Sequence, residues 1–183
     1  MVALVARRRF LVDDYERMAA AGILGEDDRV ELIAGEIVEM SPIGDRHVGC
    51  VNLLTDWLAD VVRREALISV QNPIRLSDDG EPQPDIALIR RDAIRAVPTP
   101  ADVLLVIEVA DSSRDYDRGV KLPLYAAAGI EETWLVDLVA EIIERHTDPY
   151  DGVYRHVASA RRGESLASTV LPAMILSVDL VLG

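Results

Sequence analysis

From Asp45 to Ala66 the apolar residues Val48, Val51, Leu54, Leu58, Val61 and Val62 recur at intervals of three and four, a spacing that puts them on one face of a helix. Ahead of this segment, LVDDYERMAAAG predicts a short helix ended by Gly22, and RVELIAGEIVEM predicts a hairpin turning near Ala34 and Gly35. Beyond it the period changes. LISVQNPIRL reads as a strand, SDDGEPQP as a loop, PDIALIRR as a second strand and, after Pro98 and Pro100, DVLLVIEVA as a third. The third run is apolar at successive positions, the pattern of a central strand covered on both faces.

A second long helix is predicted between Asp115 and Ala128, with Gly129 in the left-handed position past its end. Pro123 either kinks this helix or marks its true first turn. EETWLVDL, AEIIERHT and GVYRHVA supply further strands, with DPYDG as the turn between the last two. The order predicts an α/β (α+β) fold with a central mixed β-sheet flanked by helices, opened by an N-terminal helix and β-hairpin. No repeat, low-complexity tract or long linker divides it, so a single domain over residues 1–183 is expected.

Half of the 183 residues are apolar, which supports a sizeable core and argues against disorder. The single cysteine, Cys50, excludes an intrachain disulfide and a cysteine-rich zinc site, and fits a reducing cytoplasm. In MVALVARRRFLVDDYERM the basic cluster follows a very short apolar stretch, the reverse of a secretory signal, so export is not expected. The tail from Leu166 to Gly183 is apolar but broken by Ser168, Thr169, Pro172, Ser177 and Asp179, and reads as core elements rather than a membrane span. A formal charge of −13 opposes tight non-specific binding of a nucleic-acid backbone and leaves room only for transient contact with charge supplied locally. The basic pairs Arg63 and Arg64, Arg90 and Arg91, and Arg161 and Arg162, like the run Arg7 to Arg9, each read as solvated surface.

Two acids stand out against this background. Asp85 follows a proline at the mouth of a strand, and Glu108 interrupts the apolar run near its end. A carboxylate in a central strand needs a partner, because burying it unpaired costs several kcal/mol, and a cation is one such partner. If the two strands are neighbours the acids converge on a site of oxygen ligands, which suits Mg2+ or Mn2+. Lys121, one turn into the following helix, could place its ammonium over that site. Each residue also has a plain structural reading: Asp85 caps a turn after Pro84, Glu108 pairs with an arginine, and Lys121 is a surface lysine.

The ordered set ELIAGEIVEMSP, His47 in the following helix, PDIALI, LLVIEVADSS, YDRGVKLPLYAAAGI and ETWLVD resembles the Uma family of restriction endonuclease-like proteins, within the PD-(D/E)XK superfamily, over most of the chain. The resemblance implies a restriction endonuclease-like core in which Asp85 is the aspartate of the PD signature and Glu108 the acid of the next core strand. The usual lysine two residues later is replaced by Ala110, and the resemblance shifts that role to Lys121. It also points to Glu31 as a further metal or water ligand and to His47 as a phosphate contact or proton relay. Their structural alternatives are an exposed hairpin position and a residue of a helix's first turn. Asp115 and Asp117 read as helix caps, and Tyr125 and Trp134 as core.

The expected function is therefore a metal-dependent endonuclease acting on DNA. Asp85 and Glu108 would hold Mg2+ or Mn2+, Lys121, Glu31 and His47 would assist, and water would attack phosphorus in line. The competing expectations are a non-catalytic binding or assembly module on the same fold, and a metal-dependent hydrolase of a small phosphorylated molecule. A homodimer through the apolar tail is the assembly to test.

Overall fold

A computed structural model describes residues 7–25 and 27–182. The apolar start weighed for export, Met1–Ala6, lies outside the described residues. Helix α1 (Val12–Ala20) leads into the antiparallel hairpin β1 (Val30–Ile33) and β2 (Glu36–Glu39). Its two turn residues, Ala34 and Gly35, both have positive φ, the two-residue turn whose twist matches a hairpin. Helix α2 (Asp45–Val62) follows, burying Cys50, Val51, Leu54, Leu58 and Val62 along one stripe, while Val48 at its start is exposed.

The main sheet has six strands in the order β3 (Leu67–Val70), β4 (Ile86–Ile89), β5 (Val103–Ala110), β6 (Glu132–Asp137), β7 (Ile142–Tyr150) and β8 (Val153–Arg161). Only β5 and β6 are parallel, so the sheet is mixed, as the pattern of elements predicted. A parallel pair needs a crossover. It is a continuous helical segment: α3 (Arg114–Tyr116), a π-helical turn (Asp117–Lys121) and α4 (Leu122–Ala127).

Period-two alternation along β5 sorts its side chains between two layers. Leu105, Ile107 and Val109 join α2 in one core, together with Trp134 and Val136 of β6. Val106 packs with Tyr125 and Ile130 on the other side, and Ala110 with Leu122. Glu108 shares the Val106–Ala110 face, so it points toward the crossover helix. The tail closes the first core: Leu166 of β9 (Ser165–Ala167), Leu176 of β10 (Ile175–Ser177), and Val178 and Val181 of α5 (Val178–Leu182) all pack into it. These side chains are spent inside the chain, while Ile175 and Leu180 of the tail stay exposed. No described helix is long and apolar enough to cross a membrane.

Several boundaries differ from the sequence reading, and each has a local cause. Helix α2 stops at Val62 because Arg63 adopts φ 47°, before Ala66. The strand read through Leu76 ends at Val70, where Gln71 takes φ 50°, and the residues after it turn toward the hairpin through an isolated Leu32–Glu81 bridge. β4 covers only Ile86–Ile89 of the PDIALIRR run. β7 runs on to Tyr150, so the turn before β8 is just Asp151 and Gly152, both with positive φ. Of the two roles open to Pro123, the structure has the first-turn one. It falls in the first turn of α4, after the π-turn.

Candidate active site

The antiparallel pairing of β4 with β5 matches Ile86 to Ile107 and Ala87 to Val106. Continued by one step, the same register sets Asp85 opposite Glu108. The two acids are tied by the backbone: the Asp85 amide donates to Glu108 Oε2 at 3.3 Å, and the Val109 amide donates to Asp85 Oδ2 at 2.8 Å. Opposed like charges on neighbouring strands are destabilising. The pair persists because other groups are built around it.

Three elements supply those groups. The Leu32–Glu81 bridge brings β1 beside the 81–84 segment, where the Gln83 amide donates to Glu31 Oε2 at 3.1 Å and Glu31 is almost fully buried. Glu31 is therefore not the exposed hairpin residue of the structural alternative. The crossover helix contributes Tyr116, Asp117, Lys121 and Tyr125 from one side. Lys121 Nζ lies 3.2 Å from Glu108 Oε1, 3.3 Å from Glu31 Oε2 and 3.5 Å from the Gln83 carbonyl oxygen. The Tyr125 hydroxyl donates to Glu108 Oε1 at 2.5 Å and that of Tyr116 to Glu31 Oε1 at 3.4 Å. The start of α2 contributes His47, whose Nε2 is 3.0 Å from the Asp85 carboxyl group. His47 Nδ1 is buried without a partner among the described residues.

All five residues singled out from the sequence, Glu31, His47, Asp85, Glu108 and Lys121, thus line one cleft of about 350 Å³. Lys121 lies two turns along the crossover segment rather than one, at the end of the π-turn, and is buried rather than on the surface. Glu108 pairs with that lysine and not with an arginine. Asp117, read as a cap, does bond the Ser113 hydroxyl at 2.6 Å, but it also lines the cleft and is only 4 % exposed. Tyr125 is core, yet its hydroxyl reaches the site. The i, i+4, i+8 spacing of Asp117, Lys121 and Tyr125 was the available signal, since such positions share one helix face.

Acid outweighs base in the cleft. Burial pushes Glu108 up to about 8, with Lys121 opposing the push and Asp85 and Asp117 adding to it. Burial likewise pushes Asp117 up to about 6 against the Ser113 hydrogen bond and Lys121. Burial acts to lower Lys121, but the surrounding carboxyl groups, Glu108 first, outweigh it and hold the ammonium charged. The hydrogen bond to Asp85 raises His47 against its own desolvation. Six acids, Glu31, Glu39, Asp85, Glu108, Asp111 and Asp117, against one lysine and one histidine leave the cleft short of positive charge.

A divalent cation would supply that charge. Hard oxygen donors suit Mg2+ or Mn2+, ions that accept one or two carboxylates and keep several waters. Asp85 and Glu108 are such a pair. Among the described residues no group of three or more His, Cys, Asp or Glu is disposed to hold a metal ion. Burial raises the Cys50 thiol to about 12, which keeps it protonated in the core.

Comparison with known proteins agrees with this architecture. A crystal structure from Anabaena variabilis ATCC 29413, described as "a putative nuclease belonging to DUF820", superposes with a TM-score of 0.74 over 94 % of this chain and 97 % of the other. At 14 % identity, this likeness shows a common fold. No curated protein matches the chain significantly. The family model Uma2, described as "Putative restriction endonuclease", matches residues 12–179, a span that includes every cleft residue named above. The chain belongs to the Uma2 family.

Proposed function

We propose that the protein is a divalent-metal-dependent endonuclease that hydrolyses phosphodiester bonds of DNA at the Glu31–Asp85–Glu108–Lys121 cleft. The observation that carries this reading is the opposition of Asp85 and Glu108 across β4 and β5 beneath a lysine that bridges Glu31 and Glu108. Membership of the Uma2 family supports the substrate class.

Asp85 and Glu108 would hold Mg2+ or Mn2+, which supplies Lewis-acid charge for a phosphate oxygen and acidifies water. The protein's own groups do the rest. Lys121 spends its three N–H donors on Glu108, Glu31 and the Gln83 carbonyl oxygen, and by giving up the longest of these contacts, 3.5 Å to Gln83, can turn one N–H toward charge that develops on the phosphoryl oxygens. Glu31 keeps that ammonium in place through Oε2, while its Oε1 accepts the Tyr116 hydroxyl on the cleft wall. His47 fixes the Asp85 carboxyl group through Nε2 and offers Nδ1 as a proton acceptor or donor. Tyr125 and Lys121 hold Glu108 by Oε1, and Oε2, which accepts only the long 3.3 Å bond from the Asp85 amide, is the oxygen that would face the cation.

Incubation of supercoiled plasmid with the protein is expected to give nicked and linear forms with Mg2+ or Mn2+ and none in EDTA. Intact plasmid with either ion would overturn the reading. Calorimetric titration with Mn2+ is expected to show affinity rising between pH 6 and pH 8.5. The sign follows from Glu108: its carboxyl group, raised to about 8, must release a proton for the ion to bind, so proton competition fades as pH climbs. An affinity flat across that window would exclude Glu108 as a ligand.

A further inference from the structure

Arg46 and, one turn apart on the crossover helix, Arg114 and Arg118 converge beside the cleft. Arg46, in the first turn of α2, donates through Nη2 to the Leu138 carbonyl oxygen just past β6, and its Nη1 lies 3.9 Å from the cleft residue Asp111. Arg114 of α3 reaches Asp137 through Nε at 3.3 Å. Arg118 reaches the same carboxyl group at 3.5 Å and grips Glu144 with both Nη atoms at 2.9 Å. Three guanidinium groups thus meet on the two-residue step Asp137–Leu138, and Asp137 itself is fully buried.

Their donors are not equally committed. Arg118 is taken up by Glu144 and Asp137. The side chains of Arg46 and Arg114 are 60 % and 47 % exposed, and among the described residues neither Arg114 Nη atom has a partner. Position matters as much as exposure. Asp137 pairs with Ala110 on the parallel neighbour strand, two residues past Glu108. With strands about 4.8 Å apart and a rise of about 3.3 Å per residue, this basic rim starts about 8 Å from Glu108. Successive phosphates of a strand advance about 3.4 Å along the duplex axis, so the rim faces phosphates a few nucleotides from the one at Glu108.

We infer that Arg46 and Arg114 form a phosphate-contacting rim that receives the DNA backbone next to the scissile bond, with Arg118 bracing it. This rests on the nuclease reading above. In a chain of net charge −13 the rim gathers guanidinium donors in one place: the Leu138 carbonyl oxygen and Asp111 hold Arg46, and buried Asp137 holds Arg114 through Nε, leaving its Nη donors for phosphate oxygens. Contacts of this kind position the duplex and carry no sequence preference.

The test is the salt dependence of binding. Fluorescence anisotropy of a labelled DNA duplex is measured in Ca2+, across a series of NaCl concentrations, for the unaltered protein, Arg46→Ala, Arg114→Ala, the double variant, and Arg155→Ala as an exposed arginine on β8 away from the cleft. Each rim substitution is expected to lower the slope of log K against log [salt] by about 0.9 and to weaken binding about eightfold at 0.1 M salt, the double variant by about twice that slope. Arg155→Ala should change neither. A double variant with the unaltered protein's slope would overturn the inference and leave the nuclease reading standing. Absence of any duplex binding by the unaltered protein would overturn that reading and the rim together.

Discussion

Asp85→Asn is expected to lower metal-dependent plasmid cleavage by at least about 10³-fold while the fold survives. The substitution keeps side-chain shape and an oxygen able to accept the Val109 amide, but removes one of the two charges available to a cation. A metal's contribution to charge stabilisation in the transition state is several kcal/mol, and each 1.36 kcal/mol is tenfold in rate. Stability should move by no more than about 1 kcal/mol, because relief of the like-charge opposition to Glu108 offsets the weakened bond to His47. This combination separates a catalytic role from a structural one: urea unfolding near that of the unaltered protein, with the rate collapsed. Cleavage persisting within about tenfold would remove Asp85 from the site.

Trp134→Ala carries the largest expected effect on stability, a loss of about 3–5 kcal/mol in urea unfolding. Trp134 is fully buried in the core between β5, β6 and α2 and is the largest side chain there. Its indole Nε1 also donates to Glu132 Oε1 at 2.7 Å, and Glu132 is itself fully buried. The other oxygen of Glu132 accepts the Thr169 amide at 2.7 Å and the Thr169 hydroxyl, tying β6 to the tail. Truncation therefore opens a cavity and strips a buried acid of one donor, two costs that act in the same direction. A loss under about 1.5 kcal/mol would mean the tail repacks into the space.

Element type was legible where the pattern was long and local. The α2 stripe, the Ala34–Gly35 hairpin and the doubly buried β5 each follow from spacing that a few consecutive residues display. Ends were less legible, since Arg63 and Gln71 leave the helix and the strand through left-handed φ values that no glycine announced. The candidate site divided in the same way. Asp85 and Glu108 stand out as acids in apolar strands and Lys121 by its place in the helix that follows, and the family resemblance adds Glu31 and His47. Asp117 and Tyr125 were passed over because a capping acid and a core tyrosine look ordinary one at a time. The arginine rim is not legible as a unit, for Arg46 lies far along the chain from the Arg114 and Arg118 pair and the adjacent basic pairs lie elsewhere.

The sequence by itself determined the kinds of elements, their order, the mixed α+β architecture and the presence of acids that a core strand cannot hold unaided, because periodicity and charge burial act over short stretches. Only the tertiary structure decided that Ile86 pairs with Ile107, and so that Asp85 faces Glu108, that a single bridge at Leu32 and Glu81 buries Glu31, and that the π-turn points Lys121 between the two glutamates. Strand order and register are set by the sum of distant packing, and a slip of one residue would turn every one of these side chains to the opposite face.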